Sequence, residues 1–337
     1  MLYNSTQNAK EVVSAAQAIA QGISKDGGLF VPQEFPKYDE NTFKALLKTD
    51  YKGRAKKVFS DFLSDFTEEE ISDCVEKAYT AQKFGGENPA PISYCNLDGT
   101  TLNILELWHG PTCAFKDMAL QILPHLLTKS LKKKYDGKTA VILVATSGDT
   151  GKAALEGFKD VAGTRIIVFY PDNGVSEIQK LQMVTQEGNN VSVAAVKGNF
   201  DDAQSGVKKI FTDTDYKNLL DRNQFKLSSA NSINIGRLVP QVVYYVKAYA
   251  DLLKQGALKA GEPMNVVVPT GNFGNILASY YAKQMGIPIG KFVCASNKNK
   301  VLFDFFETGK YDRNREFYVT TSPSMDILIS SNLERMI

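Results

Sequence analysis

Apolar positions recur along the chain in two rhythms. Up to about residue 90 the spacing is mainly helical. Asn8 to Ala20 places apolar side chains three and four apart, and Thr67-Glu-Glu-Glu70 ahead of Ile71 reads as a capping box. Between them, Gly22 to Pro32 reads as a turn followed by a short extended piece, and Pro89-Ala-Pro91 reads as a junction. From about residue 92 short apolar runs alternate with helical stretches. Strands are expected at 101–108, 140–145, 165–170, 191–196 and 265–269. Helices are expected at 152–159, 176–186, 202–212, 239–253 and 276–285. Alternation of this kind predicts βαβ units, a mostly parallel sheet and an α/β fold, with ligands at the carboxyl ends of the strands.

Composition narrows the picture. At 337 residues the chain predicts two or three domains. Its formal net charge of +2 offers no general attraction to nucleic acid. The basic run from Lys129 to Lys134 reads as the solvated end of a helix. The four cysteines are widely spaced, with no close pair to suggest a disulfide framework or a zinc site, so a reducing, cytoplasmic setting is expected. No secretory signal and no membrane-spanning stretch are expected. Only two histidines are present, and His125, in an apolar run, reads as packing. No metal site is expected, so acid–base chemistry falls to Lys, Asp, Glu or a cofactor.

Three segments carry candidate chemistry. In Glu106 to Asp117 a strand ends, Gly110-Pro111 turns, and Thr112 can cap a helix whose first turn holds Lys116 beside Phe115. A cation at that end opposes the helix dipole, and partial burial lowers its pKa further, which favours an amine able to condense with an aldehyde. A surface lysine is the plainer reading. Val266 to Asn275, followed by a helical run, is a strand, a glycine loop and a helix start, an arrangement whose N–H groups converge on an anion. It has neither the dinucleotide-binding nor the P-loop spacing. Ala145-Thr-Ser-Gly-Asp-Thr-Gly151 is a second such junction, rich in hydroxyls. Each loop alone reads equally well as a structural turn.

Together these segments resemble those of threonine synthases. His109-Gly-Pro-Thr-Cys-Ala-Phe-Lys-Asp117 is similar to that family's cofactor-lysine motif. Thr146 to Gly151 is similar to its substrate loop, and Pro269-Thr-Gly-Asn-Phe-Gly-Asn275 to its cofactor-phosphate loop. Tyr3 to Thr6, Asp26 to Pro32, Phe200 to Gln204 and Asn231 to Asn234 also match, in the family's order. The resemblance implies a pyridoxal-phosphate enzyme of fold type II. That fold has two three-layer α/β domains with mostly parallel sheets, plus a helical N-terminal region. The division implied is 1–91 for the helical region, 92–125 with 240–337 for the larger cofactor-binding domain, and 126–239 for a smaller mobile one.

By position, Lys116 resembles the Schiff-base lysine, with Phe115 beside it, and Gly271, Asn272, Phe273, Gly274 and Asn275 the cradle for the cofactor phosphate. Ser147, Gly148, Asp149, Thr150 and Gly151 would face the substrate, as would Asn231, Ser232, Asn234 and Arg237. Arg237 would pair with a substrate phosphate, or form an ordinary helix salt bridge. The activity implied is conversion of O-phosphohomoserine and water to threonine and phosphate by a monomer or homodimer, with closure of the smaller domain excluding water. A phospho-lyase giving a keto acid, a serine or threonine dehydratase and a non-catalytic fragment are the alternatives. Longer family members continue past residue 337, and the patterned segment at Ile327 to Ile337 ends without a cap, so an incomplete chain is expected.

Overall fold

The computed structural model describes residues 1–337 except Ser147, Asn173, Gly174 and the side chain of Asp201. Three short antiparallel strands open the chain in the order β2 (Val12–Ser14), β1 (Leu2–Ser5), β3 (Phe30–Pro32). The helical reading of residues 8–20 is corrected here. Residues 12–14 pair with β1, and α1 (Ala15–Gln21) begins only where Ser14 caps it. Helices α2 (Glu40–Leu47), α3 (Tyr51–Phe62), α4 (Glu68–Ala78) and α5 (Ala81–Phe84) follow. The capping box at α4 forms as its sequence predicts. Thr67 N–H donates to Glu70 Oε2 at 2.9 Å, and Glu70 N–H donates to Thr67 Oγ1 at 3.2 Å.

A hairpin of β4 (Ile92–Leu97) and β5 (Thr100–Leu105) turns at Asp98-Gly99 and leads to α6 (Asp117–Leu120) and α7 (Leu123–Lys134). Then comes a four-stranded parallel unit: β6 (Thr139–Ala145), α8 (Asp149–Phe158), β7 (Thr164–Pro171), α9 (Glu177–Val184), β8 (Val191–Val196), α10 (Phe200–Thr212), α11 (Thr214–Arg222) and β9 (Phe225–Ser228). Its strand order is β8-β7-β6-β9. The central strand β6 is buried from Ala140 to Ala145, as an apolar run in a parallel sheet requires. Ala140, Ile142 and Val144 join the main core, whereas Val141, Leu143 and Ala145 pack with Ala203 and Val207 of α10. Alternate residues of one strand thus fill both sides of a three-layer arrangement.

The remainder is α12 (Ile235–Lys254), β10 (Met264–Pro269), α13 (Gly274–Gln284), β11 (Ile289–Ala295), α14 (Val301–Thr308) and two short 3₁₀ turns, Pro323–Met325 and Ser331–Arg335. β10 and β11 pair in parallel. Helix α12 is buried along nearly its whole length and packs against α3, α6 and α13. It starts four residues earlier than its apolar spacing suggests, because the Asn234 side chain caps it by accepting from Gly236 N–H at 2.9 Å. One core cluster runs from Tyr3 to Leu333. The fold is α/β, and the strands of its larger sheet and of the β10–β11 pair run parallel. Among the described residues no helix is long and apolar enough to cross a membrane.

Candidate active site

A cavity of about 1440 Å³ opens at the carboxyl ends of β6, β9 and β10, where ligands of parallel sheets gather. Its walls include Phe115, Lys116, Gly148, Asp149, Thr150, Asn231, Ser232, Arg237 and every residue from Gly271 to Asn275. Two of the expected residues stand behind the wall. Gly151 packs against Thr146 and Met183. Asn234 is fully buried, its side-chain amide donating to Ile19 O at 3.0 Å and to Ser229 O at 2.9 Å. Ser147 lies outside the described residues.

The lysine loop is built differently from its sequence reading. Thr112 caps no helix. Its N–H and Oγ1 both donate to the Asp117 carboxylate, at 2.8 Å each, and α6 starts at Asp117 with Lys116 as its N-cap residue. Gly110 makes this possible, since a Cβ there would stand 2.4 Å from Asp117 Cβ. The folded-back loop leaves Lys116 only 9% exposed, with its Nζ in an ion pair with Asp149 Oδ1 and 5.8 Å from the centre of the Phe115 ring. Burial pulls the Lys116 amine below the usual lysine range. Asp149 pushes back, and the Arg237 guanidinium adds to the lowering. Burial opposes ionisation of Asp149, but Lys116 and a 2.6 Å hydrogen bond from Ser324 Oγ to Asp149 Oδ2 outweigh it and hold this carboxyl below the usual range.

The glycine loop after β10 enters α13 through Phe273, whose φ of 64° is left-handed. Among the described residues, none of the backbone N–H groups of residues 271–275 has a protein acceptor. Five donors thus gather at the N-terminus of an 11-residue helix, in a form that suits a phosphate. Opposite Lys116, Arg237 is 2% exposed. Its Nη1 donates to Ala230 O at 2.6 Å, while its Nε is buried with no acceptor among the described residues. Burial pulls its pKa to about 10, still charged near neutrality. Among the described residues Arg237 makes no helix salt bridge, and its side chain donates to a carbonyl instead.

Sequence patterning missed Ser324. It stands on a 3₁₀ turn in an irregular stretch, and the only local signal is the run of turn-forming residues from Thr320 to Asp326.

A buried amine and an anion cradle in one cavity fit a phosphorylated aldehyde: the carbonyl for Lys116, the phosphate for the amides of residues 271–275. Such a site defines a class, the enzymes that carry this cofactor on a lysine. Comparison with known proteins agrees. Residues 2–79 match the family model "Threonine synthase N terminus", and residues 86–335 match "Pyridoxal-phosphate dependent enzyme". The chain is 45% identical to threonine synthase-like 1 of Homo sapiens, covering 98% of this chain and 45% of that one. It is 37% identical to threonine synthase of Pseudomonas aeruginosa, covering 100% and 68%. The crystal structure of pyridoxal-phosphate-bound threonine synthase from Brucella melitensis superposes with a TM-score of 0.89 at 38% identity, covering 100% of this chain and 69% of that one. The chain belongs to the threonine synthase family of pyridoxal-phosphate-dependent enzymes. It spans less than half the length of the threonine synthase-like 1 relatives it matches.

Proposed function

We propose that the chain carries the catalytic site of a threonine synthase, acting on O-phospho-L-homoserine and water to give L-threonine and phosphate. One observation carries this reading: Lys116, residues 271–275 with their unpaired amides and a second buried cation, Arg237, all line one cavity. The amides would hold the cofactor's phosphate, and Phe115 flanks the amine. Bound there, pyridoxal phosphate supplies an electron sink for charge that develops at the substrate's α-carbon.

The residues divide the rest. Arg237, a charged side chain on the cavity wall, would hold the substrate phosphate. Gly148, Asp149 and Thr150, with Asn231 and Ser232, line the wall that receives the amino-acid end. The Lys116 amine, its pKa lowered by burial, would take a proton from Cα and then one from Cβ; phosphate leaves Cγ, which gains a proton, and water then gives its hydroxyl to Cβ and its other proton to the base before a proton returns to Cα. Residues 126–239 act as the smaller domain and close on the substrate to exclude water. A cytoplasmic enzyme, monomeric or homodimeric, suits four unpaired thiols.

A second reading is a phospho-lyase that releases a keto acid. It starts with the same residues, and it is kept because several of the most similar relatives are named threonine synthase-like 1. The test is to load the chain with cofactor, supply phosphohomoserine and measure phosphate, threonine and keto acid. Phosphate with threonine is expected, and Lys116→Ala should abolish both products. Phosphate with keto acid alone would favour the second reading, and no phosphate at all would defeat both.

A further inference from the structure

Asp149 uses its two carboxylate oxygens on two different elements. Oδ1 meets the Lys116 ammonium, and Oδ2 accepts from Ser324 Oγ at 2.6 Å across a sequence separation of 175 residues. Asp149 opens α8 and so sits where the helix dipole favours a negative charge. That placement fixes its charge but not its plane, because the last torsion of an Asp side chain is broad and soft. Ser324 supplies what is missing.

Ser324 is itself held firmly. The 3₁₀ turn that carries it, Pro323–Met325, is closed by Met325 N–H donating to Ser322 O at 2.9 Å. The next side chain, Asp326, gathers four donors. Its Oδ1 accepts from Asn297 Nδ2 at 2.7 Å, Asn299 Nδ2 at 3.0 Å and Thr320 Oγ1 at 2.7 Å, and its Oδ2 accepts from Thr320 N–H at 2.9 Å. The turn is thereby fastened to the stretch just after β11.

We propose that Ser324 is a positioning residue which, by fixing the plane of the Asp149 carboxylate, sets how firmly Lys116 holds its proton and hence the pH at which its amine reacts with an aldehyde. The proposal rests on the reading of Lys116 as the cofactor-binding amine. The charged group acting on Lys116 besides Asp149 is Arg237 from α12, and the titratable groups acting on Arg237 in turn are Asp149, the Tyr244 hydroxyl and Asp117 at the start of α6. Among the described residues the Ser324 hydroxyl donates to Asp149 and has no hydrogen bond with Arg237, Tyr244 or Asp117. Removing its hydroxyl frees Asp149 to swing, dilutes the ion pair, and leaves burial and Arg237 to push the amine towards neutrality.

The experiment incubates the full chain with pyridoxal phosphate across about pH 6 to 10, traps the lysine adduct with borohydride, and locates it by peptide mass spectrometry. Condensation needs the neutral amine and expels one water, so the initial labelling rate reports the Lys116 titration. Asp149→Asn is expected to move the midpoint down by about one pH unit or more, and Ser324→Ala by about half a unit. Ser324→Thr, which keeps a hydroxyl, should restore the native midpoint. In an Asp149→Asn background Ser324→Ala should add no further shift, since it acts only through that carboxylate. An unmoved or raised midpoint in Ser324→Ala, or a shift that persists without Asp149, overturns the inference while leaving the proposed function standing. A native chain that gives no adduct at Lys116 at any pH overturns both.

Discussion

Arg237 shows how much of a site can hang on one side chain. A guanidinium this deeply buried loses most of its hydration, and a single carbonyl is poor compensation. Its buried Nε, with no acceptor among the described residues, adds to that cost in stability. Replacing Arg237 with Ala removes one charge-assisted hydrogen bond of about 1.5–3 kcal/mol, so KM for phosphohomoserine should rise about ten- to a hundredfold in steady-state assays. Retention of the native KM would remove Arg237 from the proposed phosphate contact. His125 responds to acid instead. Burial, reinforced by Lys83 and Lys77, lowers its pKa from 6.5 to about 4. The unfolded chain therefore takes up this proton first. The stability that His125 confers is complete above about pH 6.5 and drains away as pH falls towards 4. His125→Leu should lose on the order of 1–2 kcal/mol less than the native chain between pH 7 and pH 5, measured by urea unfolding at both values.

At the scale of elements, α6 and α8 must approach closely to bring Lys116 and Asp149 together. Gly157 allows it, because a Cβ there would lie 2.2 Å from the Leu120 carbonyl oxygen. Gly157→Ala should push the two helices apart, cost about 1–3 kcal/mol in thermal or urea unfolding, and weaken cofactor capture as well. A variant with native stability and native capture would show that this contact is not needed.

Which elements the sequence reveals follows from the continuity of their apolar runs. The strands β6, β7, β8 and β10 are apolar runs bounded by turns, and their positions could be read directly. β9 and β11 could not. β9 is four residues long and carries Lys226, while β11 includes Gly290 and Lys291, so neither shows a continuous apolar signal. For the site, the glycine loop was legible because local geometry makes it, and both it and Lys116 do face the cavity. The Thr112–Asp117 contact is a local loop fold that helix-capping patterns do not anticipate, and the reach of Ser324 to Asp149, 175 positions apart, depends on tertiary folding that no local spacing encodes.

The whole molecule is tied together by buried charge as well as by apolar packing. Asp251 on α12 meets Arg54 of α3 at 3.2 Å and also pairs with Lys247, and both cations are almost fully buried. Asp251→Ala would strand two charges at the seam between the N-terminal helices and the central helix. A loss of about 3–5 kcal/mol is expected in urea unfolding, and a change below about 1 kcal/mol would mean that water reaches the seam. A second tie joins opposite ends of the sequence. The Arg335 guanidinium donates to the carbonyls of Phe30 and Ile233 and to Asn332 Oδ1. Ser330 Oγ donates to Gly271 O at 2.6 Å, and Asn332 N–H donates to Asn272 O at 3.1 Å. The timing of biosynthesis follows from these ties. A nascent chain can shape β6 to β9 early, but the anion cradle waits for residues some sixty positions downstream, and the Phe30 carbonyl for one 305 positions away, to leave the ribosome. The amine and its cradle are thus made long before the polypeptide that braces them, and a ribosome stalled before Ser324 would display a chain unable to finish its own cofactor pocket.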